Sequence, residues 1–529
     1  MQSIRSIRGV CKIALFLISS VLACGTVASG QSRSEPGART EDLTKALVSL
    51  NLSYQRSGPR GRSALVDQML ATAAERRKLL ASMVESEPGR VLRVALTSEF
   101  RASLPAAVRT DVEQHVVLDG TIEVLQEDYA SGARLRHFLD TGGTRLSLYF
   151  AVNPPGHLTG DRVRVRGVLL DNMLALDSGT TSLQILTAPP AGSNTFGDQR
   201  TLVLLVNFQD NAVEPYSLPY ADGVVFTTTS NFDREASYQQ TWLTGATSGW
   251  FTIAMSSTVC DTLMLASLAK QAAAGAGIDL SLYKRYVYAF PTNACTWWGS
   301  GTVGGNPSQA WINGEFELKV VAHEIGHNFG LFHAHALDCG SSPIVPPCTW
   351  TDYGDTLDIM GNTPGHFNAF MKERLGWLAY GTSPSIISVQ ADGTYQLEPL
   401  ESAPGGGAKA LKILRSTDPT TGMRTWFYVE FRQPIGFDGF LSNGYGNVVN
   451  GVVIRTGSES DGNSSYLLDM TPQTDDWTDP ALDVGLTFSD PLSGVTVKTV
   501  SVNSTRASVR VTVGGGPPNA PTNLRIVQP

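Results

Sequence analysis

The chain has 529 residues, of which 42% are apolar and 17% charged, and its formal net charge is −8 at pH 7. That length predicts about three domains with several buried cores. The acidic balance offers no basic surface for phosphates, which argues against nucleic acid as a partner. The 52 glycines and 28 prolines are typical of a turn-rich chain with many strands, and we predict the α+β class.

Positions 1–30 predict a secretory signal peptide, in which basic residues precede an apolar run at 13–23 and small residues follow. The run is too short to span a membrane in the mature protein. No other segment approaches that length, so we expect a secreted protein without a membrane partner. The alternative is lipid anchoring at Cys24, because the sequence before it loosely resembles a lipoprotein cleavage box.

Residues 31–195 predict a helical leader followed by a β-rich propeptide. Helical periodicity at 43–52 and 65–83 is broken at 58–61, where glycine and proline cluster. Alternating apolar and polar residues then predict five strands, which suit a small barrel of OB type. The predicted strands are 112–125, 134–139, 145–150, 162–170 and 173–176. A linker rich in proline, glycine and serine is predicted at 187–194.

A folded module ahead of an exported catalytic region suggests a zymogen. The chain has no cysteine between Cys24 and Cys260, which excludes masking of a metal by a propeptide thiolate. Any masking must therefore use a carboxylate, a carbonyl or steric cover. The histidines of this region, His115, His137 and His157, are predicted to be ordinary residues.

Residues 196–382 predict the catalytic domain. Its expected elements are a buried strand at 200–208, helices at 232–242 and 263–274, and a strand at 280–290. The glycine-rich segment 299–305 does not open a phosphate-binding helix. The next segment, 309–312, predicts an edge strand that can pair with an extended substrate backbone.

The pattern HExxHxxGxxH runs from His323 to His333 and is the most specific feature of the sequence. On a helix, His323 and His327 share one face and can bind the same metal ion. Gly330 can adopt the left-handed conformation that ends the helix and returns His333 as a third ligand. Three histidine ligands leave the fourth position of catalytic zinc open, and Glu324 lies beside it.

The helix that carries this pattern is predicted to begin near Asn313, which is a good N-cap residue. Glu315 and Glu317 would then lie in the first turn, where negative charge suits the helix dipole. Downstream, Met360 in the sequence 358–361 supplies the Met-turn that accompanies the extended pattern in metzincins.

Other side chains compete for places around the metal. His335 is an alternative third ligand, although its spacing misses the metzincin pattern. His366 is expected to be a structural or pocket residue. Asp338, Asp355 and Asp358 are candidates to support the ligands, but each is more typical of a turn.

Four cysteines lie outside the predicted signal peptide, and an even number in an exported chain predicts two disulfides. Proximity in sequence favours Cys260–Cys295 and Cys339–Cys348. A four-cysteine zinc site is the alternative, although no CxxC pair is present.

Residues 383–513 predict a C-terminal β-sandwich without helices, because short apolar runs alternate with glycine, asparagine and aspartate turns. The predicted strands are 394–397, 410–414, 425–431, 448–454, 466–469 and 496–513. Residues 514–529 predict a linker and a fragment that resembles the start of a fibronectin type III module. Asp475 and Asp476 form no recognisable calcium loop.

Segments 323–333, 336–340, 353–361 and 366–377 together resemble the gametolysin family of metzincin peptidases, over about residues 200–515. The resemblance implies a zinc endopeptidase in which His323, His327 and His333 hold the metal. It implies Glu324 as the base and Met360 as the Met-turn residue. It also implies protein or peptide substrates, some of them glycoproteins of the extracellular matrix or cell wall.

We therefore predict a secreted endopeptidase that uses Zn²⁺, with Glu324 as the general base for the attacking water. The alternative is a secreted protein that binds glycans or proteins and has a structural zinc. A zinc amidase or deacetylase is a third hypothesis. An inactive homologue of a protease that no longer binds metal is disfavoured, because Glu324 is still present.

Overall fold

The computed structural model describes residues 36–152, 154, 156–188, 194–474 and 476–514. The predicted signal peptide with Cys24, most of the predicted linker at 187–194, Asp475 and residues 515–529 lie outside them. The helices are α1 Pro36–Arg56, α2 Pro59–Met83, α3 Pro88–Val94, α4 Ser98–Ser103, α5 Ala106–Arg109, α6 Gly179–Ser182, α7 Leu218–Asp222, α8 Ser230–Ala236, α9 Thr262–Gly275, α10 Leu318–Phe329, α11 Ala369–Arg374 and α12 Gly446–Asn450.

The strands of the first half are β1 Gln114–Tyr129, β2 Gly132–Asp140, β3 Arg145–Phe150, β4 Arg162–Leu170, β5 Met173–Leu176, β6 Leu183–Thr187, β7 Gly197–Phe208, β8 Thr241–Ile253, β9 Arg285–Phe290, β10 Gly299–Thr302 and β11 Ser308–Asn313. The remaining strands are β12 Ala334–Asp338, β13 Thr349–Thr351, β14 Ile386–Val389, β15 Gly393–Leu397, β16 Ala410–Thr417, β17 Arg424–Glu430, β18 Gly451–Ser458, β19 Asp461–Leu468, β20 Leu482–Asp483, β21 Thr487–Ser489, β22 Thr496–Asn503 and β23 Arg506–Thr512.

The N-terminal module consists of the helical leader and a small barrel. Helices α1 and α2 pair on either side of the break at residues 57–58. The five predicted strands are present, and they form the closed ring β1-β2-β3-β5-β4-β1 around a core that includes Ile122, Leu139 and Val163. The OB type of this barrel stays a prediction.

Strand β1 extends beyond the barrel and joins the module to the strands that follow residue 196. Residues 114–121 pair with β4, whereas residues 125–128 pair on one side with β2 and on the other with β10. The result is a single eleven-stranded sheet whose order continues β1-β10-β11-β9-β7-β8.

The part of this sheet formed by β7–β11 is covered on both faces by helices. Leu202 and Leu204 of β7 face the core that contains α9, whereas Val203 and Leu205 face the core that contains α10. The alternation follows from the two-residue period of a strand and explains why β7 is apolar throughout.

Two sequence expectations are wrong in this region. The helix predicted over 232–242 ends at Ala236, because Tyr238 and Gln239 have φ of 58° and 67° and turn the chain into β8. Strand β11 is not an edge, since β10 pairs with its outer side. The two glycines of β10 have low strand propensity and concealed that strand in the sequence.

The C-terminal region contains an eight-stranded and a four-stranded sheet with a common apolar core. Leu411 and Phe427 of the larger sheet and Val497 and Val509 of the smaller one belong to that core. The short helix α12 corrects the expectation that this region has no helix. The predicted sandwich class and the boundaries at 195 and 382 stay predictions, and hydrogen-bonded sheets run across both boundaries.

Both predicted disulfide pairs, Cys260–Cys295 and Cys339–Cys348, are present. The alternative of a four-cysteine zinc site is therefore wrong. Within the described part of the chain, no helix is long and apolar enough to cross a membrane.

Candidate metal centre

Helix α10 carries the first part of the histidine pattern through the core. Its apolar residues Val321 and Ile325 are completely buried. The helix ends at Gly330, whose φ of 103° lies in the left-handed region. Its first cap is Glu317 and not Asn313, so the predicted start is wrong. Asn313 instead ends β11, where its side-chain amide donates to the carbonyl oxygen of Trp297 at 2.7 Å.

The three histidines of the pattern are buried and their Nε2 atoms converge. The Nε2 atoms of His323 and His333 are 3.3 Å apart. The Nδ1 of His323 lies 2.8 Å from the carbonyl oxygen of Ile359, and that of His327 lies 2.8 Å from the carbonyl oxygen of Leu331. Because a carbonyl only accepts, each Nδ1 must carry the proton and donate it. The Nε2 lone pairs are therefore directed to the common point.

Met360 lies directly beneath this helix. A methyl group at Gly326 would overlap the Sδ of Met360 and would approach the Cε1 of Phe367 to 3.3 Å. The glycine between the two motif histidines is therefore explained by the close approach of the Met-turn. Met360 and Phe367 belong to one apolar core, and Gly326 is buried against them.

A fourth side chain reaches the centre from the N-terminal module. The Oδ2 of Asp128 lies 3.3 Å from the Nε2 of His323 and 3.2 Å from that of His327. Its Oδ1 lies 3.0 Å from the Nε2 of His333. The four ligand atoms lie within 4.8 Å of one another, and all four side chains are buried. This donor set suits zinc, which binds histidine nitrogen and carboxylate oxygen.

Glu324 is completely buried beside the histidines, and neither carboxylate oxygen has a hydrogen-bond partner in the described residues. The carboxylate lies against β10, where a methyl group at Gly301 would come within 2.9 Å of Oε2. Burial, together with the negative charge of Asp128, raises the pKa of Glu324 well above its usual value. An orphaned buried carboxylate at this position fits a proton acceptor whose donor is a metal-activated water.

Asp352 and Tyr353 complete the centre from the loop before the Met-turn. The Nδ1 of His333 lies 2.9 Å from the Oδ1 of Asp352. Although burial acts to raise it, the histidines His333 and His335 hold the pKa of Asp352 well below its usual range. The Tyr353 hydroxyl donates to the Oδ1 of Asp128 at 2.8 Å, and its ring centroid lies 4.2 Å from that of His333.

The histidines differ in their electrostatic surroundings. Burial lowers the pKa of His323 to about 4, against the opposing effect of Asp128. For His333, burial also acts to lower the pKa, but Asp128 and Asp352 outweigh it and raise the value to about 9. A neutral imidazole is the form that binds a metal, so a cation at this point would replace the proton that Asp128 and Asp352 favour on His333.

A cavity of about 810 Å³ opens beside the centre. Its wall includes Trp298, Val320, Tyr353, Asn362 and Trp477. Val320 belongs to the helix that carries His323, and Trp298 directly precedes β10. The cavity therefore lies between the start of β10 and the helix of the histidine pattern, and it offers room for an apolar or aromatic group.

The other candidates from the sequence lie away from the three Nε2 atoms. The Nδ1 of His335 lies 3.3 Å from the Oδ1 of Asp352, and His366 contacts Glu235. Asp355 pairs with Arg455 in the core, whereas the Oδ1 of Asp358 accepts from the backbone N–H of Met360 at 2.8 Å. Asp338 accepts from the backbone N–H of Gly340.

Asp128, Asp352 and Tyr353 were not predicted as site residues from the sequence. Tyr353 is the first residue of the segment 353–361 and Asp352 directly precedes it, so proximity to the Met-turn was a usable signal. Asp128 lies 195 residues before His323 and carries no local motif. The exclusion of a cysteine left a carboxylate as one of three expected kinds of masking group, without indicating which residue supplies it.

A family model described as metallopeptidase family M12, Reprolysin_5, matches residues 196–364. The match supports a metzincin-type domain in that range. It includes the three histidines, Glu324 and Met360, but it does not single out the gametolysin family. No curated protein matches the chain.

Proposed function

We propose that this protein is a secreted zinc endopeptidase of the gametolysin type, made as a zymogen. The observation that carries the proposal is the convergence of the three histidine Nε2 atoms beside the buried, unpartnered carboxylate of Glu324. The match of residues 196–364 to metallopeptidase family M12 supports it. Secretion rests on the sequence pattern at 1–30, and substrates in the cell wall or extracellular matrix rest on the family resemblance.

His323, His327 and His333 would hold the zinc. When bound, zinc supplies a water of lowered pKa and polarises the carbonyl of the scissile peptide bond. Glu324 accepts the proton of the attacking water on its carboxylate and then delivers that proton to the leaving amine nitrogen. Burial is the largest cause of its raised pKa, and a carboxylate with a raised pKa is suited to hold the proton between these two steps.

Two further groups act on the substrate. The Tyr353 hydroxyl, which donates to a carboxylate oxygen of Asp128 in this structure, can donate to the substrate carbonyl oxygen in the same position. Such a donor stabilises the negative charge that develops there. Strand β10 offers backbone groups that can pair with an extended substrate once β1 is removed.

The test is digestion of an unfolded protein substrate by the form that lacks residues up to about 194, with and without a zinc chelator. Cleavage that is lost with the chelator and restored by Zn²⁺ supports the endopeptidase. A preparation that holds one zinc per chain yet cuts no member of a broad peptide library contradicts it. That result would favour a binding protein with a structural zinc, and release of acetate or ammonia from amide substrates would favour a deacetylase or amidase.

A further inference from the structure

Strand β1 brings Asp128 to the place where a fourth metal ligand belongs. One carboxylate oxygen lies within 3.3 Å of His323 and His327, and the other lies 3.0 Å from His333. Each of these histidines directs its Nε2 inward, because its Nδ1 has an acceptor of its own. A carboxylate that contacts all three inward nitrogens occupies the position that zinc leaves open for water in a catalytic site.

The backbone around Asp128 is paired as a bound peptide would be. Residues 125–128 run antiparallel to 299–302. The backbone N–H of Trp298 donates to the carbonyl oxygen of Asp128 at 2.9 Å, and the hydroxyl of Ser300 donates to that of Gln126 at 2.6 Å. These contacts satisfy the outer side of β10, which is the side that a substrate strand would use.

The start of β2, the next strand after Asp128, is also fixed to the centre. The backbone N–H of Ala133 donates to the Oδ2 of Asp352 at 2.9 Å, while the other oxygen of Asp352 accepts from His333. The Tyr353 hydroxyl donates to Asp128 itself. Asp352 and Tyr353 therefore connect the histidine ligands to the N-terminal module on two sides of the carboxylate.

We infer that Asp128 is the fourth metal ligand of the uncleaved chain, and that β1 residues 125–128 occupy the strand position of the substrate. The inference rests on the proposed zinc endopeptidase. While Asp128 is bound, its carboxylate excludes the attacking water, and β1 excludes the substrate backbone from β10. Removal of the N-terminal module opens both places together, so a cut in the linker predicted from the sequence at 187–194 releases a metal site and a binding edge in one event.

The experiment uses the full chain with Co²⁺ as the metal and acetohydroxamate as a small probe that binds an accessible metal. Glu324→Gln is present throughout, so that the chain does not process itself. Asp128→Ala and the conservative Asp128→Asn are compared with Asp119→Ala. Asp119 lies on the same strand and forms an exposed pair with Arg164, far from the histidines in its register position.

Acetohydroxamate is expected to change the visible absorption of the Asp128 variants at concentrations at least about tenfold below those needed for the parent and for Asp119→Ala. The reason is that the probe binds only those chains in which Asp128 has left the metal. The apparent affinity for the probe is therefore the intrinsic affinity multiplied by the fraction of open sites. Equal probe affinity in all four chains would overturn the inference. Asp128→Asn preserves the shape of the side chain, so a response in that variant alone suffices if Asp128→Ala does not fold.

The outcomes separate this inference from the proposed function. A probe response that depends on Asp128, with no hydrolysis by the processed form, leaves Asp128 as a ligand and contradicts the endopeptidase. Chelator-sensitive hydrolysis by the processed form, together with a probe response of the full chain that does not depend on Asp128, supports the endopeptidase. The same result overturns the inference that Asp128 is a metal ligand. A folded chain that binds no Co²⁺ overturns both.

Discussion

The α-carbon of Gly299 faces the carboxylate of Glu324 so closely that a methyl group at position 299 would overlap Oε1. Gly299→Ala is therefore expected to displace the carboxylate from its place beside the histidines. We expect the processed enzyme to lose at least about tenfold in kcat/KM while it keeps its metal, because misplacement of a catalytic group by about 1 Å is enough to slow a reaction strongly. Peptide hydrolysis and metal content are the two measurements.

The matched control is Gly275→Ala at the end of α9, where an added methyl group meets no atom within 4 Å. It should retain the activity of the parent. Full activity in Gly299→Ala would show that the carboxylate does not need its present position.

Glu324→Gln keeps the size of the side chain and removes the proton acceptor. We expect zinc to be retained and peptide hydrolysis to fall by about 10²–10⁴-fold, the range typical of lost general acid–base catalysis. Zinc per chain and the rate on a fluorogenic peptide are measured on the same sample. Hydrolysis at the parent rate would exclude Glu324 as the base.

Tyr353→Phe removes one hydroxyl from the centre and keeps the ring that packs on His333. We expect kcat of the processed enzyme to fall by about 10²–10³-fold, with a smaller change in KM, since loss of one donor to a developing oxyanion has that size. Tyr380→Phe is the control, because Tyr380 is 57% exposed and distant in sequence from the motif. An increase in KM with an unchanged kcat would assign Tyr353 to substrate binding instead.

The raised pKa of Asp358 predicts how the stability of the folded chain changes with pH. Burial, with the charge of Asp355 nearby, raises its pKa from 3.8 to about 7. Between these values the folded chain binds more protons than the unfolded chain, so this group makes stability fall as pH rises from about 4 to 7. One proton limits the slope to about 1.4 kcal/mol per pH unit.

Asp358→Asn removes that titration. We expect the variant to be less stable than the parent at pH 5, because the backbone N–H groups of Met360 and Asn368 each donate to one oxygen of Asp358 and an amide has only one oxygen. The stability difference between parent and variant should shrink as the pH rises through 7. Urea unfolding of both proteins at pH 5, 6, 7 and 8 gives the comparison. A difference that does not change with pH would show that Asp358 keeps its charge throughout.

Sequence patterns correctly predicted those strands and site residues that are determined by residues close together in the chain. Apolar alternation located the barrel strands, and the offsets from His323 to His333 located three side chains that the structure does bring together. The start of α10 was misplaced because Asn313 is a good N-cap residue by type. In the structure its amide satisfies carbonyl groups at 295–297 instead.

The misses depend on contacts between distant segments. Strand β10 exists because β1 and β11 pair on its two sides, although its own residues, with two glycines, favour a loop. Asp128 is an ordinary acidic residue until the barrel brings it to the histidines. Sequence periodicity cannot reveal either of them, because β1, which carries Asp128, is more than a hundred residues from β10 and from the histidines in the chain.

The strand that follows His333 has a consequence for protein engineering. Strand β12 begins at Ala334 and pairs in parallel with β19, from residue 465 onward. A chimera joined at position 382 would retain the complete histidine motif in its sequence but would place β12 beside a foreign strand. The geometry of the third ligand would then depend on the donor of the C-terminal half. Exchange of specificity between related chains should therefore be attempted with loops around the cavity, and not with whole halves of the molecule.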